Sequence, residues 1–127
     1  MIFFLKIAFN FSVLILIVLS LFPGSLLGLF LYGDLGQQPN LIKNPYGTSI
    51  NHFISYFYVS ILGLFAYLKH EKFNLVVYQL FFLSIILEIL QVFIPNRAFE
   101  LFDLIGNFIG VLVAYFLIKI YLFVKRL

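Results

Sequence analysis

Four runs of about twenty apolar residues, separated by short polar breaks, constrain this chain more than any other feature. A helix rises about 1.5 Å per residue, so about twenty residues cover the ~30 Å hydrocarbon core of a bilayer. The runs occupy about residues 3–22, 50–68, 73–94 and 101–123. With 64% hydrophobic and 10% charged residues, a chain of 127 residues could not hide this much apolar surface from water. The expected fold class is an all-α membrane protein. One four-transmembrane-helix bundle forms a single domain over residues 1–127, with a long loop at 23–49.

The first run, Ile7 to Phe22, follows Lys6 and closes at Pro23-Gly24. Its basic start and the small residues Ser20, Gly24 and Ser25 admit a signal-peptide reading. Ser-Leu-Phe-Pro is a poor match to an A-x-A-like cleavage site, so an uncleaved first helix is expected. The loop that follows is rich in Gly, Pro, Asn and Gln. Its apolar part, Leu26 to Tyr32, is too short to span and is left between lying on the membrane surface and dipping into it.

Orientation follows from the basic residues. Lys6, Lys69, Lys72, Lys119, Lys125 and Arg126 fall on one side of the expected bundle, against Lys43 and Arg97 on the other. The positive-inside bias places both termini in the cytoplasm, in a multi-pass protein of the cytoplasmic (inner) membrane. The formal net charge of +3 is scattered at the ends of apolar runs and forms no basic stripe, so no nucleic-acid partner is expected. The chain has no cysteine, which excludes disulfides, thiolate metal sites, cysteine nucleophiles and a lipoprotein anchor.

The remaining polar residues collect at the outer end. His52 begins the second run, Glu88 and Gln91 lie near the end of the third, Arg97 follows in the turn, and Asp103 and Asn107 open the fourth. At about 100° per residue, Ser84, Glu88 and Gln91 share one helix face, and Asp103, Asn107, Gly110 and Ala114 share another. His52, Tyr56 and Gly63 make a similar stripe. Gly106 and Gly110 have the G-x-x-x-G spacing that lets helix backbones approach, so Gly63, Gly106 and Gly110 are expected to serve helix packing. Glu88 lies six residues before Ile94, about 9 Å along a helix. A charge near mid-membrane costs roughly 2.5–3.5 kcal/mol, so Glu88 should be protonated, paired with Arg97 or His52, or turned to a hydrated pocket.

The stretch Glu88-Ile-Leu-Gln91-Val-Phe-Ile-Pro95-Asn-Arg97-Ala-Phe-Glu-Leu-Phe-Asp103-Leu-Ile-Gly-Asn107-Phe-Ile-Gly110 resembles the signature of the VanZ-like family, E-x-x-Q-x-x-x-P-x-R-x-x-x-x-x-D-x-x-x-N-x-x-G. Ser20-Leu-Phe-Pro23 looks like the S-x-x-P that ends the family's first helix. Where the family often carries D-K-x-x-H, this chain reads Thr48-Ser49-Ile50-Asn51-His52, keeping the histidine without the acid–base pair. The resemblance implies a bacterial envelope context, in a family named for association with resistance to teicoplanin. It implies no particular reaction.

Two readings of Glu88, Arg97 and Asp103 stand side by side. One is a structural ion-pair network stitching two helices at a turn. The other is a binding site of His52, Glu88, Gln91, Arg97, Asp103 and Asn107 for the phosphate or sugar head group of an envelope lipid, or for a glycopeptide-related head group, with Arg97 gripping an anion bidentately. No H-x-x-x-H or similar spacing supports a metal, and no cofactor is expected. The partners expected are membrane lipids, including a lipid-linked cell-wall precursor, with a membrane-protein partner or a homo-oligomer left open. An intramembrane enzyme with Glu88 as base and His52 or Asp103 as acid is the alternative to binding, and a structural subunit of a membrane complex is a third.

Overall fold

The computed structural model describes residues 1–126, and among these every regular element is helical. The α-helices are α1 (Ile2–Leu21), α2 (Leu26–Tyr32), α3 (Ser49–Ala66), α4 (Phe73–Leu90) and α5 (Leu101–Val124). A 3₁₀ turn, Gln91–Phe93, extends α4. With that turn included in the third, α1, α3, α4 and α5 are long and apolar enough to cross a membrane. Each coincides with an apolar run to within two residues at either end.

Local chemistry sets the boundaries. Pro23 cannot continue α1, and Gly24 adopts φ +101°, turning the chain. Ser25 then caps α2 by accepting from the Gly28 N–H at 2.9 Å. α2 ends at Gly33, whose left-handed φ of +71° returns its N–H to the Gly28 and Leu29 carbonyls. Pro95 closes the third span, and the last turn before it tightens to 3₁₀.

The distribution of polarity is the reverse of a soluble protein's. Phe30 (80% exposed), Phe93 (78%) and Tyr78 (71%) lie on the outside, while Glu88, Asp103 and Asn107 are buried. Such a surface suits lipid. Away from the polar cluster, Leu64, Leu80, Val111, Ala114 and Ile118 fill the interior.

Short links join α3 to α4 and α4 to α5, but the most extensive helix interface is that of α3 against α5. The cause is the glycine face of α5. A Cβ on Gly106 would stand 2.7 Å from the Ser49 carbonyl oxygen, and one on Gly110 would stand 2.6 Å from that of Phe53. No side chain fits in either place, so the backbones meet directly. Gly63 of α3 receives the Phe9 ring of α1 in the same way.

The ends of the bundle differ. At the end bearing the 66–73 link, Lys6 stands over the Tyr67 ring at 4.7 Å and Lys119 over Phe73 at 5.7 Å, as snorkelling cations do. The other end, covered by α2 and the 33–48 loop, is the polar mouth.

Candidate functional site

His52 lies at the centre of the mouth. The first turn of α3 carries it, the start of α5 supplies Asp103 and Asn107, and the last turn of α4 supplies Glu88. The imidazole Nε2 lies 3.2 Å from Asp103 Oδ2, and Nδ1 lies 3.0 Å from Asn107 Oδ1 and 3.9 Å from Glu88 Oε2. The orientation of the Asn107 amide is fixed from its other side. Its Nδ2 donates to the Ser84 carbonyl at 3.3 Å and to Glu88 Oε2 at 3.4 Å, so Oδ1 is the atom turned to the ring. Both ring nitrogens therefore face acceptors.

The carboxylates are held as firmly. Asp103 Oδ1 accepts from the Ser49 hydroxyl at 2.6 Å, and its place in the first turn of α5 suits a negative charge. Glu88 Oε1 accepts the backbone N–H of Glu100 at 3.1 Å. That bond ties the turn after the third span back onto α4.

Gln91 and Arg97 do something different. Gln91 Nε2 donates to the Ser20 carbonyl at 3.1 Å. Arg97 donates through Nε to the Phe22 carbonyl at 3.1 Å and through Nη2 to that of Leu19 at 2.8 Å. All three acceptors are carbonyls freed at the C-terminal end of α1, where no further helical turn can use them. Of the two readings open in the sequence, the network joining Arg97 to Glu88 and Asp103 does not form; the two carboxylates face His52 instead. Arg97 is half-buried in the turn outside the spans. Burial pushes its guanidinium below the ordinary arginine value, with Glu88 and Asp103 acting in the opposite sense, and it remains a cation.

Two cavities open beside this cluster. A narrow recess of about 80 Å³ lies between Leu16, Leu19, Leu26 and Leu27 on one side and His52 and Tyr56 on the other. A wider vestibule of about 500 Å³ is lined by polar groups including Asn96, Glu100 and Asp103. Ser25, Gln38, Gln91 and Arg97 line both. Glu88 lines neither. Among the described residues no three His, Asp or Glu side chains are arranged to hold a metal ion.

A family model described as VanZ/LLP1 matches residues 1–123. The chain belongs to the VanZ/LLP1 family. No curated protein and no solved structure matches it. In this VanZ/LLP1 chain the residues of the 88–110 stretch divide by task. Glu88, Asp103 and Asn107 surround His52, Gln91 and Arg97 reach across to α1, and Gly110 seats α5 on α3. Ser49 meets Asp103 with its hydroxyl from the first turn of α3.

Asn51 escaped sequence reasoning. Its Nδ2 donates to the Pro39 carbonyl at 2.7 Å and its Oδ1 accepts from the Leu41 N–H at 3.2 Å, clamping the loop over the mouth. One helical asparagine beside a histidine carries no pattern that would have marked it. Ser49 was equally silent, since its partner lies on another helix.

Proposed function

We propose that this VanZ/LLP1 protein resides in the cytoplasmic membrane with both termini on the cytoplasmic side. Its mouth faces outward and holds the polar head group of an envelope lipid or of a glycopeptide-related compound. The observation that carries this reading is the pair of adjoining cavities walled by Arg97, Gln91 and Gln38, with His52 on one side and Asp103 on the other. Convergent hydrogen-bonding groups beside an apolar cleft are the chemistry that head-group binding requires. The bias of Lys and Arg toward the opposite end supports the orientation.

Acid–base catalysis by Glu88 is the competing reading. Its carboxylate is turned onto the Glu100 N–H and Asn107 and lines neither cavity, which favours holding a ligand over transforming it.

Native mass spectrometry of the gently extracted protein tests the proposal. A co-purified lipid is expected on the unaltered chain and is lost on Arg97→Ala, with helix content checked by circular dichroism. An adduct-free wild type, or equal retention by a folded variant, would overturn it.

A further inference from the structure

Arg97 has carboxylates nearby but no ion pair with them. Glu88 is engaged by Glu100, Asn107 and His52, and Asp103 by Ser49 and His52. Two N–H groups of Arg97 meet backbone carbonyls of α1, which fixes the guanidinium plane without neutralising it. The second N–H of Nη2 and both N–H groups of Nη1 are left over among the described residues. A half-buried cation held without a counter-charge is costly. It is also pre-organised for an anion, because the side chain is already ordered before a ligand arrives.

The guanidinium stands where the leucine-lined recess joins the polar vestibule. An anion at that junction has apolar carbon on one side and hydrogen-bonding groups on the other. We propose that the ligand is a phosphorylated lipid, with its phosphate on the free N–H groups of Arg97. The first carbons of its tail lie along Leu16, Leu19, Leu26 and Leu27, and its polar remainder lies in the vestibule. This rests on the head-group reading above and narrows it to lipid phosphates, setting aside water-soluble glycopeptides. The recess admits only the start of a chain, and the rest of the tail stays in the surrounding leaflet.

The test titrates the purified full chain in detergent micelles with farnesyl phosphate, farnesol, oleate and glycerol phosphate, reading binding by calorimetry. Farnesyl phosphate is expected to bind about 30-fold more tightly than farnesol, the value of a charge-assisted hydrogen bond of about 2 kcal/mol. Oleate and glycerol phosphate should be weaker than farnesyl phosphate. Arg97→Ala should erase the preference for phosphate over alcohol, and Arg97→Lys should keep part of it. Gln38→Glu, which puts a carboxylate on the wall shared with Arg97, should lower phosphate affinity in a chain whose helix content is unchanged. Farnesol or oleate binding as tightly as farnesyl phosphate would overturn the phosphate. Glycerol phosphate binding equally well would overturn the lipid while leaving a head-group site. Failure of all four to bind would overturn the lipid phosphate and the envelope-lipid arm of the head-group reading, leaving that reading only its glycopeptide-related arm.

Discussion

His52 Nε2 lies 3.2 Å from Asp103 Oδ2, joining the start of α3 to the start of α5, while Glu88 Oε2 approaches the opposite ring nitrogen at 3.9 Å. One imidazole thus stands between two buried carboxylates. Removing it leaves both without the partner they share, and breaking a buried pair in this way costs about 3 kcal/mol. His52→Ala should lower the unfolding midpoint by several degrees in a detergent melt followed by circular dichroism. In the double variant His52→Ala/Asp103→Asn, the loss should be smaller than the sum of the single losses, because the second change removes a charge the first had stranded. Strict additivity would show that the two side chains do not interact.

Gly110 and Gly63 offer a contrast. A Cβ at Gly110 meets backbone atoms, Phe53 O at 2.6 Å and Phe57 N at 2.9 Å. At Gly63 the nearest atoms belong to the Phe9 ring, starting at 2.5 Å. A ring can rotate aside, whereas α3 must shift bodily. Gly110→Ala is expected to cost about 2 kcal/mol, in the range of overpacked cores, and Gly63→Ala less. The same melts measure both, and a larger loss at Gly63 would contradict the direct α3–α5 backbone contact.

Asn51 holds the loop by bonds to Pro39 and Leu41. Asn51→Ala should leave the four long helices formed and increase protease cleavage between residues 34 and 48. Limited proteolysis in micelles reads this directly. An unchanged digestion pattern would mean the loop is held by other contacts.

The spans were legible because lipid imposes a simple rule, a run of apolar residues long enough to cross, and Pro23, the Lys69–Lys72 link and Pro95 mark ends. The face of α5 that packs was legible in Gly106 and Gly110, but its partner was not, since small residues state that something approaches and leave open what. His52, Glu88, Asp103 and Asn107 could be placed at one depth by counting residues. Arg97 was legible only as a choice between an ion pair with the acids and a grip on an anion. The partners it has are the carbonyls of Leu19 and Phe22, and backbone acceptors leave no trace in residue identity. Ser49 and Asn51 were hidden for a related reason, because each acts across a distance in sequence without a charge to announce it.

The proposed binding role depends first on the polar mouth facing away from the cytoplasm. The chain contains no cysteine, so introduced thiols report their own positions alone. Gln38→Cys, on the wall of both cavities, and Glu71→Cys, in the link at the opposite end, should be exposed to a membrane-impermeant maleimide on opposite faces of the membrane. In intact cells from which any outer membrane has been stripped, Gln38→Cys should be labelled at once and Glu71→Cys only after lysis. Labelling of Glu71→Cys in intact cells, with Gln38→Cys protected, would turn the mouth inward and contradict an outward-facing site.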